Sequence, residues 1–233
     1  MTTDNTLTKL TDMRMAAMAE TFREQLKDAS YQEMSFEDRF GLLVDIEWTR
    51  RQNNKLDRLI KAAEFRDSQA CIENIEYHSD RKLDKTQILR LATGHYIEEC
   101  HNIILMGASG NGKTYLACAF GIAACRQLYR VKYIRLPDLL DELAIARGEG
   151  TYRKTMKKYK KINLLILDEW LLTPLKETEA RDLLEIVEAR HQNASTIFCS
   201  QFDPRGWHEK IGEITLADAI LDRIVHDSYP IMI

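Results

Sequence analysis

The sequence predicts an α/β protein in which a parallel five-stranded sheet lies between helices and follows a small helical N-terminal domain. Three observations support this prediction. Helical apolar spacing dominates the first 95 residues, strand-like apolar runs alternate with helical patterns after residue 95, and a glycine-rich loop joins the first such strand to a helix. Because strands that alternate with helices build parallel sheets, we expect domains at 1–95 and 96–233.

The N-terminal region carries three helical patterns. Their predicted ranges are 5–28, 36–66 and 83–92. Ser35 and Asp38 form a capping pair that would start the second helix, and residues 28–33 would form the loop before it. Gly94 would end the third helix, because glycine tolerates the left-handed backbone of a helix C-terminus.

The second region alternates strands with helices. Strands are predicted at 102–106, 131–135, 163–168, 195–200 and 229–233. Helices are predicted at 113–128, 137–147, 178–191, 204–210 and 216–226. Pro137 and Pro204 stand where helices would begin, a position that tolerates a missing N–H. Thr215 with Asp218 is a second capping pair, expected to start the last helix.

The loop after the first predicted strand matches the phosphate-binding pattern G-x-x-x-x-G-K-[ST], in the strand–loop–helix context that this pattern requires. Its glycines let successive N–H groups point at phosphate oxygens, and the next helix adds its positive N-terminal end. Lys113 would bind the β- and γ-phosphates, and the Thr114 hydroxyl would ligate Mg²⁺. The expected nucleotide-binding residues are Gly107, Ala108, Ser109, Gly110, Asn111, Gly112, Lys113 and Thr114.

Two acids end the predicted strand 163–168. That strand is apolar without alternation, as expected for a strand buried on both faces, and it ends in Asp168-Glu169. Ligands of open α/β sheets lie at the carboxyl ends of the strands, so these acids are expected beside the phosphate loop. Asp168 would hold the Mg²⁺ water shell and Glu169 would orient the attacking water, which predicts an ATPase. The alternative is a strand that simply ends in solvated acids.

Composition narrows the class of protein. No apolar stretch approaches the roughly 18 residues that a membrane span needs, so no membrane partner is expected. The N-terminus lacks the basic start and apolar core of a signal peptide. The five cysteines are scattered and show no C-x-x-C spacing, which indicates reduced thiols, not a disulfide frame or a zinc site. We therefore expect a cytoplasmic protein.

Positive charge is concentrated in two segments although the formal net charge is −3. The first lies on the second predicted helix, opposed only by Asp57, and consists of Arg50, Arg51, Lys55, Arg58 and Lys61. The second lies between residues 147 and 161, opposed only by Glu149, and consists of Arg147, Arg153, Lys154, Lys157, Lys158, Lys160 and Lys161. Such concentrations are typical of surfaces that bind a nucleic-acid backbone, and a solvated surface is the alternative. Tyr152 and Tyr159 would pack on sugars or on the domain itself.

The chain resembles the IstB-like transposition helper ATPases of bacterial insertion sequences, relatives of the DnaC helicase loaders in the AAA+ class. The resemblance covers almost the whole chain. The matching segments are 35–45, 47–48, the phosphate loop, 133–137, 164–170, 182–188, 200–201, 207–208 and 217–226. It implies an AAA+ P-loop NTPase domain that binds ATP with Mg²⁺. The sequence leaves no room after the predicted sheet for the helical lid of many AAA+ proteins, so no lid is expected.

The resemblance also implies two further catalytic residues beside Glu169 and Lys113. Gln201 is similar to the polar sensor that contacts the γ-phosphate or the attacking water, and Arg223 is similar to the arginine finger that enters a neighbouring subunit's ATP site. A cation there would offset the charge on the transferring phosphoryl oxygens. The local alternatives are a loop amide for Gln201 and, for Arg223, a surface salt bridge with Asp222 or Asp227.

The function implied by the resemblance is an ATP-dependent helper of transposition. A finger supplied by a neighbour requires a head-to-tail ring or helical oligomer, which would assemble on duplex target DNA and recruit the cognate transposase. The two basic segments would form the DNA surface. One alternative is a helicase loader, against which the segment around 35–48 argues. Another is a nucleotide-gated DNA-binding module with little hydrolysis.

Overall fold

A computed structural model of the chain describes residues 2–77 and 83–233. The chain divides into two compact units after Arg58. This division lies earlier than the domain boundary predicted near residue 95. The reason is that the segment containing Phe65 and the short helices that follow it pack against the helix Lys113–Arg126.

The first unit is helical, with one difference from the prediction. Its helices are α1 (Thr2–Asp12), α2 (Ala16–Lys27) and α3, which runs from Phe36 to Ala63 and continues past the unit boundary. The single helix predicted at 5–28 is wrong, because Arg14 adopts a left-handed backbone with φ of 59° and separates α1 from α2. The freed carbonyl of Arg14 accepts hydrogen bonds from Arg50 and Arg51 of α3.

The connection from α2 to α3 is a short 3-10 helix, Ala29–Glu33, instead of the predicted loop. The Asp28 carboxylate caps it by accepting a hydrogen bond from the Ser30 N–H. The predicted capping pair of α3 is confirmed, since the Ser35 hydroxyl accepts from the Asp38 N–H at 3.1 Å and donates to the Asp38 carboxylate at 2.8 Å.

The second unit contains the sheet. Its strands are β1 (Asn102–Met106), β2 (Val131–Arg135), β3 (Leu164–Asp168), β4 (Ser195–Ser200) and β5 (Ser228–Met232). Its helices are α4 (Lys85–Ala92), α5 (His95–Glu98), α6 (Lys113–Arg126), α7 (Leu136–Gly148), α8 (Tyr152–Lys161), α9 (Glu177–Arg190), α10 (Pro204–Ile211) and α11 (Ile214–Val225). All strand pairs are parallel in the order β2-β3-β4-β1-β5, which confirms the predicted five-stranded sheet.

The core of this unit lies on both faces of the central strands. Every residue of β1, β3 and β4 is buried, as their non-alternating apolar sequences predict. An aromatic cluster of Trp170, Phe198 and Trp207 packs edge to face beside the carboxyl ends of β3 and β4. The core therefore supports the edge of the sheet where the predicted catalytic residues stand.

One helix in this unit was not predicted, and one predicted capping pair is wrong. The basic segment 152–161 folds as the helix α8, which the sequence analysis did not assign, because Met156 and Tyr159 provide only a narrow buried stripe. Thr215 and Asp218 do not cap α11. The Glu213 side chain caps it instead, accepting from the N–H groups of residues 215 and 216, while Asp218 contacts His208. Among the helices described, none combines the length and apolarity that crossing a membrane would demand.

Candidate nucleotide-binding site

The phosphate loop connects β1 to α6 at the carboxyl edge of the sheet. Gly110 and Gly112 have φ of 85° and 91°, and among the residues described, chain neighbours aside, no atom lies within 4 Å of where a side chain would begin. Their backbone conformation, not crowding, therefore requires glycine. Because α6 begins at Lys113, its first N–H groups and its positive end face this loop.

Lys113 is buried against the loop that it would serve. Its Nζ donates hydrogen bonds to the carbonyls of Gly107 at 2.8 Å and Ala108 at 2.7 Å. Burial lowers the pKa of this ammonium. The lysine is thus held at the loop by contacts that phosphate oxygens could replace.

Thr114, Asp168 and Tyr133 meet at one carboxylate oxygen. The Thr114 hydroxyl and the Tyr133 phenol each donate to Asp168 Oδ2 at 2.7 Å. Burial, with the hydrogen bond to Asp168, raises the pKa of Tyr133, so the phenol remains a proton donor. The hydroxyl and carboxylate oxygens of Thr114 and Asp168 fit a hard cation such as Mg²⁺.

No group of three or more His, Cys, Asp or Glu side chains able to hold a metal ion occurs within residues 2–77 and 83–233. The oxygens of Thr114 and Asp168 alone would leave most positions around Mg²⁺ unfilled. The site therefore fits a cation that arrives with phosphate oxygens, not a metal centre built from side chains alone.

Glu169 is held by an arginine that the sequence analysis missed. Its two carboxylate oxygens accept hydrogen bonds from Arg135 Nε at 2.9 Å and Nη2 at 2.7 Å. Arg135 ends β2 and pairs in register with Asp168, which places it beside Glu169. This bidentate pair uses one lone pair of each Glu169 oxygen and offsets the negative charge, so it weakens the carboxylate as a base towards a water.

Gln201 follows β4, which lies beside β3 in the sheet. It lines an open cavity of about 680 Å³ together with Lys113, Thr114, Asp168 and Glu169. In the parts of the chain that the structure describes, its side-chain amide makes no hydrogen bond. Gln201 is therefore free to bind a ligand in this cavity.

Ser200 links the two turns that carry Glu169 and Gln201. Its buried hydroxyl donates to the Trp170 carbonyl at 3.1 Å and accepts from Trp207 Nε1 at 2.9 Å and the Phe202 N–H at 3.1 Å. This hydroxyl ties the end of β4 to the turn after β3. The relative positions of Glu169 and Gln201 are fixed through it.

Arg223 does not lie at this cavity. It stands in the last turn of α11 and contacts Glu188, in the last turn of α9, at 3.3 Å, and the Ala219 carbonyl at 2.8 Å. The alternative of a surface salt bridge is thus observed, but its partner among the described residues is Glu188 and not Asp222 or Asp227. Helices α9 and α11 both lead to the starts of strands, so Arg223 lies at the amino edge of the sheet, opposite the phosphate loop.

The bases of helix α8 differ in whether an acid of a neighbouring helix pairs with them. Lys158 pairs with Glu142 of α7 at 3.1 Å, and Lys160 pairs with Glu185 of α9 at 2.6 Å. The other bases, called the outward bases below, are exposed and make no ion pair with the residues described: Arg153, Lys154, Lys157 and Lys161. The sequence suggested that Glu149 alone opposes these bases. The fold adds Glu142 and Glu185 from neighbouring helices.

The two tyrosines of α8 pack on the domain, which decides between the two predicted roles. Tyr159 is fully buried and donates to Glu142. Tyr152 donates to Asp182 of α9 at 2.7 Å. Neither phenol is available to a sugar in this arrangement.

Arg190 was also missed. It is buried and donates to the carbonyls of Tyr159 and Ile162 at 2.8 Å and to the Thr196 hydroxyl at 2.9 Å. Burial lowers its pKa to about 9. Because it binds the carbonyl end of α8, where a helix favours positive charge, Arg190 anchors that helix to β4.

The basic segment of α3 is partly neutralised within the first unit. Arg50 and Arg51 both pair with the buried Glu47, at 2.9 and 2.8 Å. The expectation that only Asp57 opposes this segment is therefore wrong. Burial would raise the pKa of Glu47, but hydrogen bonds from the two arginines outweigh it and lower the pKa to about 2. Among the described residues, Lys55, Arg58 and Lys61 have no ion-pair partner.

Comparison with known proteins identifies relatives of the whole chain. The family model described as IstB-like ATP binding protein matches residues 8–233. A protein of Sinorhizobium fredii (strain NBRC 101917 / NGR234), named as an insertion sequence ATP-binding protein, is 42% identical over 97% of this chain and 92% of its own length.

Solved structures share the fold of the second unit at lower identity. AMPPCP-bound DnaA from Aquifex aeolicus has a TM-score of 0.61 and 20% identity over 73% of this chain, which spans about half (51%) of that protein. The DnaC helicase loader has a TM-score of 0.57 and 19% identity over 70% of this chain and 96% of its own. At these identities the likeness shows the AAA+ P-loop fold alone.

Proposed function

Because this chain belongs to the family of IstB-like ATP binding proteins, we propose that it hydrolyses ATP as the helper ATPase of an insertion-sequence transposon. Family and fold establish an ATP-binding AAA+ P-loop protein of the insertion-sequence type. One observation carries the step to hydrolysis. Lys113, Thr114, Asp168, Glu169 and Gln201 all line a single cavity at the carboxyl edge of the sheet.

Different residues of this cavity would have different roles in phosphoryl transfer. The N–H groups of the loop 107–112 and the Lys113 ammonium would bind the phosphates, and Gln201 would contact the terminal phosphate or the attacking water. Glu169, once released from Arg135, would orient that water and accept its proton. Mg²⁺ bound by Thr114 and Asp168 would neutralise charge on the phosphate oxygens.

Arg223 would complete the site of a neighbouring subunit. It lies at the opposite edge of the sheet from its own phosphate loop, and its bond to Glu188 is partly exposed and exchangeable. A residue that reaches only a neighbour's site requires head-to-tail stacking, in a ring or a helical array. Nucleotide would then stabilise contacts between subunits.

Duplex DNA is the proposed partner of the assembled protein. The outward bases of α8 supply positive charge suited to phosphate backbones, as do Lys55 and Arg58 of α3, which have no ion-pair partner among the described residues. In this proposal the helical domain 1–95 contributes to DNA or partner binding, and the domain 96–233 is the ATPase. The DNA-bound oligomer would select the target and recruit the cognate transposase, and hydrolysis would release it.

ATP turnover with and without duplex DNA tests the proposal, alongside a Glu169→Gln variant. We expect measurable turnover that duplex DNA stimulates, and a loss on the order of 100-fold in the variant with ATP binding retained. Glu209→Gln, at an exposed position on α10, serves as the matched control and should behave as wild type. Equal turnover by Glu169→Gln and wild type would exclude the proposed role of Glu169.

Two alternatives give different outcomes in the same assay. The DnaC-like fold supports a helicase loader, for which single-stranded DNA or a helicase, and not duplex DNA, would stimulate turnover. The closed Arg135–Glu169 pair supports a nucleotide-gated module with little hydrolysis. That module would show ATP-dependent DNA binding without turnover in any condition.

A further inference from the structure

Arg66 lies on a segment fixed to the helix of the phosphate loop. The Phe65 ring packs so closely on Gly121 of α6 that a Cβ there would approach Phe65 Cε1 to 2.4 Å. Further along, the Tyr115 hydroxyl of α6 accepts from the Cys71 N–H at 3.2 Å and contacts the Cys71 carbonyl at 3.3 Å. These contacts hold the backbone around Arg66 at a set position beside the nucleotide cavity.

Arg66 is a cation with no carboxylate partner among the described residues. It lines the nucleotide cavity and also an adjoining cleft beside β2. The other bases of that cleft have carboxylate partners: Lys132 with Glu64, Arg135 with Glu169 and Asp138, and Lys158 with Glu142. The guanidinium of Arg66 makes no hydrogen bond or ion pair to any residue in 2–77 or 83–233. Its donors are therefore available to an anion.

The position of Arg66 relative to the sheet indicates which end of a bound nucleotide it would contact. The phosphate loop follows β1, and β4, β3 and β2 succeed it along the sheet edge. Arg66 and Tyr133 of β2 line the same cleft. The other side of the loop, near Asn111, is lined by apolar residues including Ile75 and Leu116. Arg66 thus stands towards Asp168, where the terminal phosphate would lie, and away from the base.

We propose that Arg66 binds the terminal phosphate of ATP within its own subunit and so distinguishes ATP from ADP. A guanidinium offers a planar pair of donors that matches two phosphate oxygens. This inference rests on the proposed function, because it takes the loop 107–114 to hold a nucleoside triphosphate. It differs from the role proposed for Arg223, which acts between subunits.

Equilibrium binding of AMPPCP and ADP, each with Mg²⁺, tests this assignment in wild type, Arg66→Ala and Arg66→Lys. We expect Arg66→Ala to weaken AMPPCP binding about tenfold or more and ADP binding less than about twofold, since one charge-assisted contact is lost. Arg66→Lys, which keeps the charge without the planar donors, should fall between. Arg126→Ala, an exposed arginine at the far end of α6, is the matched control and should leave both affinities unchanged.

The outcomes separate this inference from the proposed function. If wild type hydrolyses ATP and Arg66→Ala keeps the wild-type ratio of the two affinities, the assignment of Arg66 is wrong and the ATPase stands. If wild type binds AMPPCP without hydrolysing ATP and Arg66→Ala loses the preference, the assignment stands and the ATPase fails. An equal loss of both ligands would also overturn it, and retained ADP binding shows that the variant is folded.

Discussion

The phosphate loop and helix α8 both concentrate positive character, but the protein treats the two regions differently. At the loop the charge comes from oriented N–H groups and one buried lysine, whose Nζ donates to two loop carbonyls. On α8 it comes from a row of side chains, two of which are neutralised by acids of α7 and α9. The loop is thus a preorganised anion site, whereas α8 is a partly compensated surface.

Positive charge in the sequence therefore indicates an anion-binding site more reliably at the loop than on α8. The loop is built from consecutive residues, so its local conformation determines its chemistry. The charge of α8 depends on which acids the fold brings beside it. Only the outward residues Arg153, Lys154, Lys157 and Lys161 keep the character that composition predicts.

Of the variants proposed here, Lys113→Ala should have the largest effect, which is on ATP affinity. A small effect would contradict the description of the loop as a preorganised anion site. We expect ATP affinity to fall on the order of 100-fold, because the variant loses a buried charge-assisted contact to the phosphates. Equilibrium titration with a fluorescent ATP analogue measures the change. Lys27→Ala, an exposed lysine at the end of α2, is the control. An affinity within about twofold of wild type would show that the lysine does not bind phosphate.

Two double variants of α8 should sharpen the comparison. Lys154→Ala with Lys157→Ala removes outward bases, and Lys158→Ala with Lys160→Ala removes paired ones. We expect the outward pair to weaken duplex DNA binding about tenfold and to flatten the slope of log K against log salt by about 0.9 per lost phosphate contact. Fluorescence anisotropy over a salt series measures both quantities. The variant that lacks Lys158 and Lys160 should change the affinity and the salt slope less. A larger change in that variant would contradict the distinction between paired and outward bases.

Arg135→Ala tests whether the ion pair with Arg135 restrains Glu169, as ion pairs neutralise two bases of α8. Removing Arg135 frees both oxygens of Glu169, so we expect ATP turnover without DNA to rise several-fold. Asp138→Ala, which removes the other acid near Arg135 but leaves the bidentate pair, is the control. Turnover that falls in Arg135→Ala would indicate that the pair supports catalysis instead of restraining it.

Glu47→Gln extends the comparison to the basic segment of α3, with the smallest expected effect. The pKa of Glu47 is lowered to about 2 from an ordinary value of 4.5, so its stabilisation is complete above about pH 4.5 and is lost as the pH falls towards 2. We expect the variant to lose about 1–2 kcal/mol of unfolding free energy at pH 6, allowing for its half-exposed arginine partners. Urea unfolding at pH 6 and pH 3 should show the difference shrinking at the lower pH, and a constant difference would contradict this.

The sequence by itself determined the sheet, the order of its elements and the residues of the loop 107–114. The strands are short apolar runs bounded by turn residues, and the loop is contiguous, so local physics is enough to recognise them. Asp168 and Glu169 were placed at the site because the carboxyl ends of neighbouring parallel strands meet at one edge.

Only the tertiary structure decided which charges are free. Glu169 meets Arg135, 34 positions away in the sequence, and Arg190 reaches Tyr159, 31 positions away. Neither pairing leaves a periodic or local signal, because each depends on register and packing between separate elements. The break at Arg14 is stabilised by its contacts with Arg50 and Arg51 of a separate helix, 36 and 37 positions away. The binding motif is therefore local, while the groups that restrain or expose its chemistry are set by the fold.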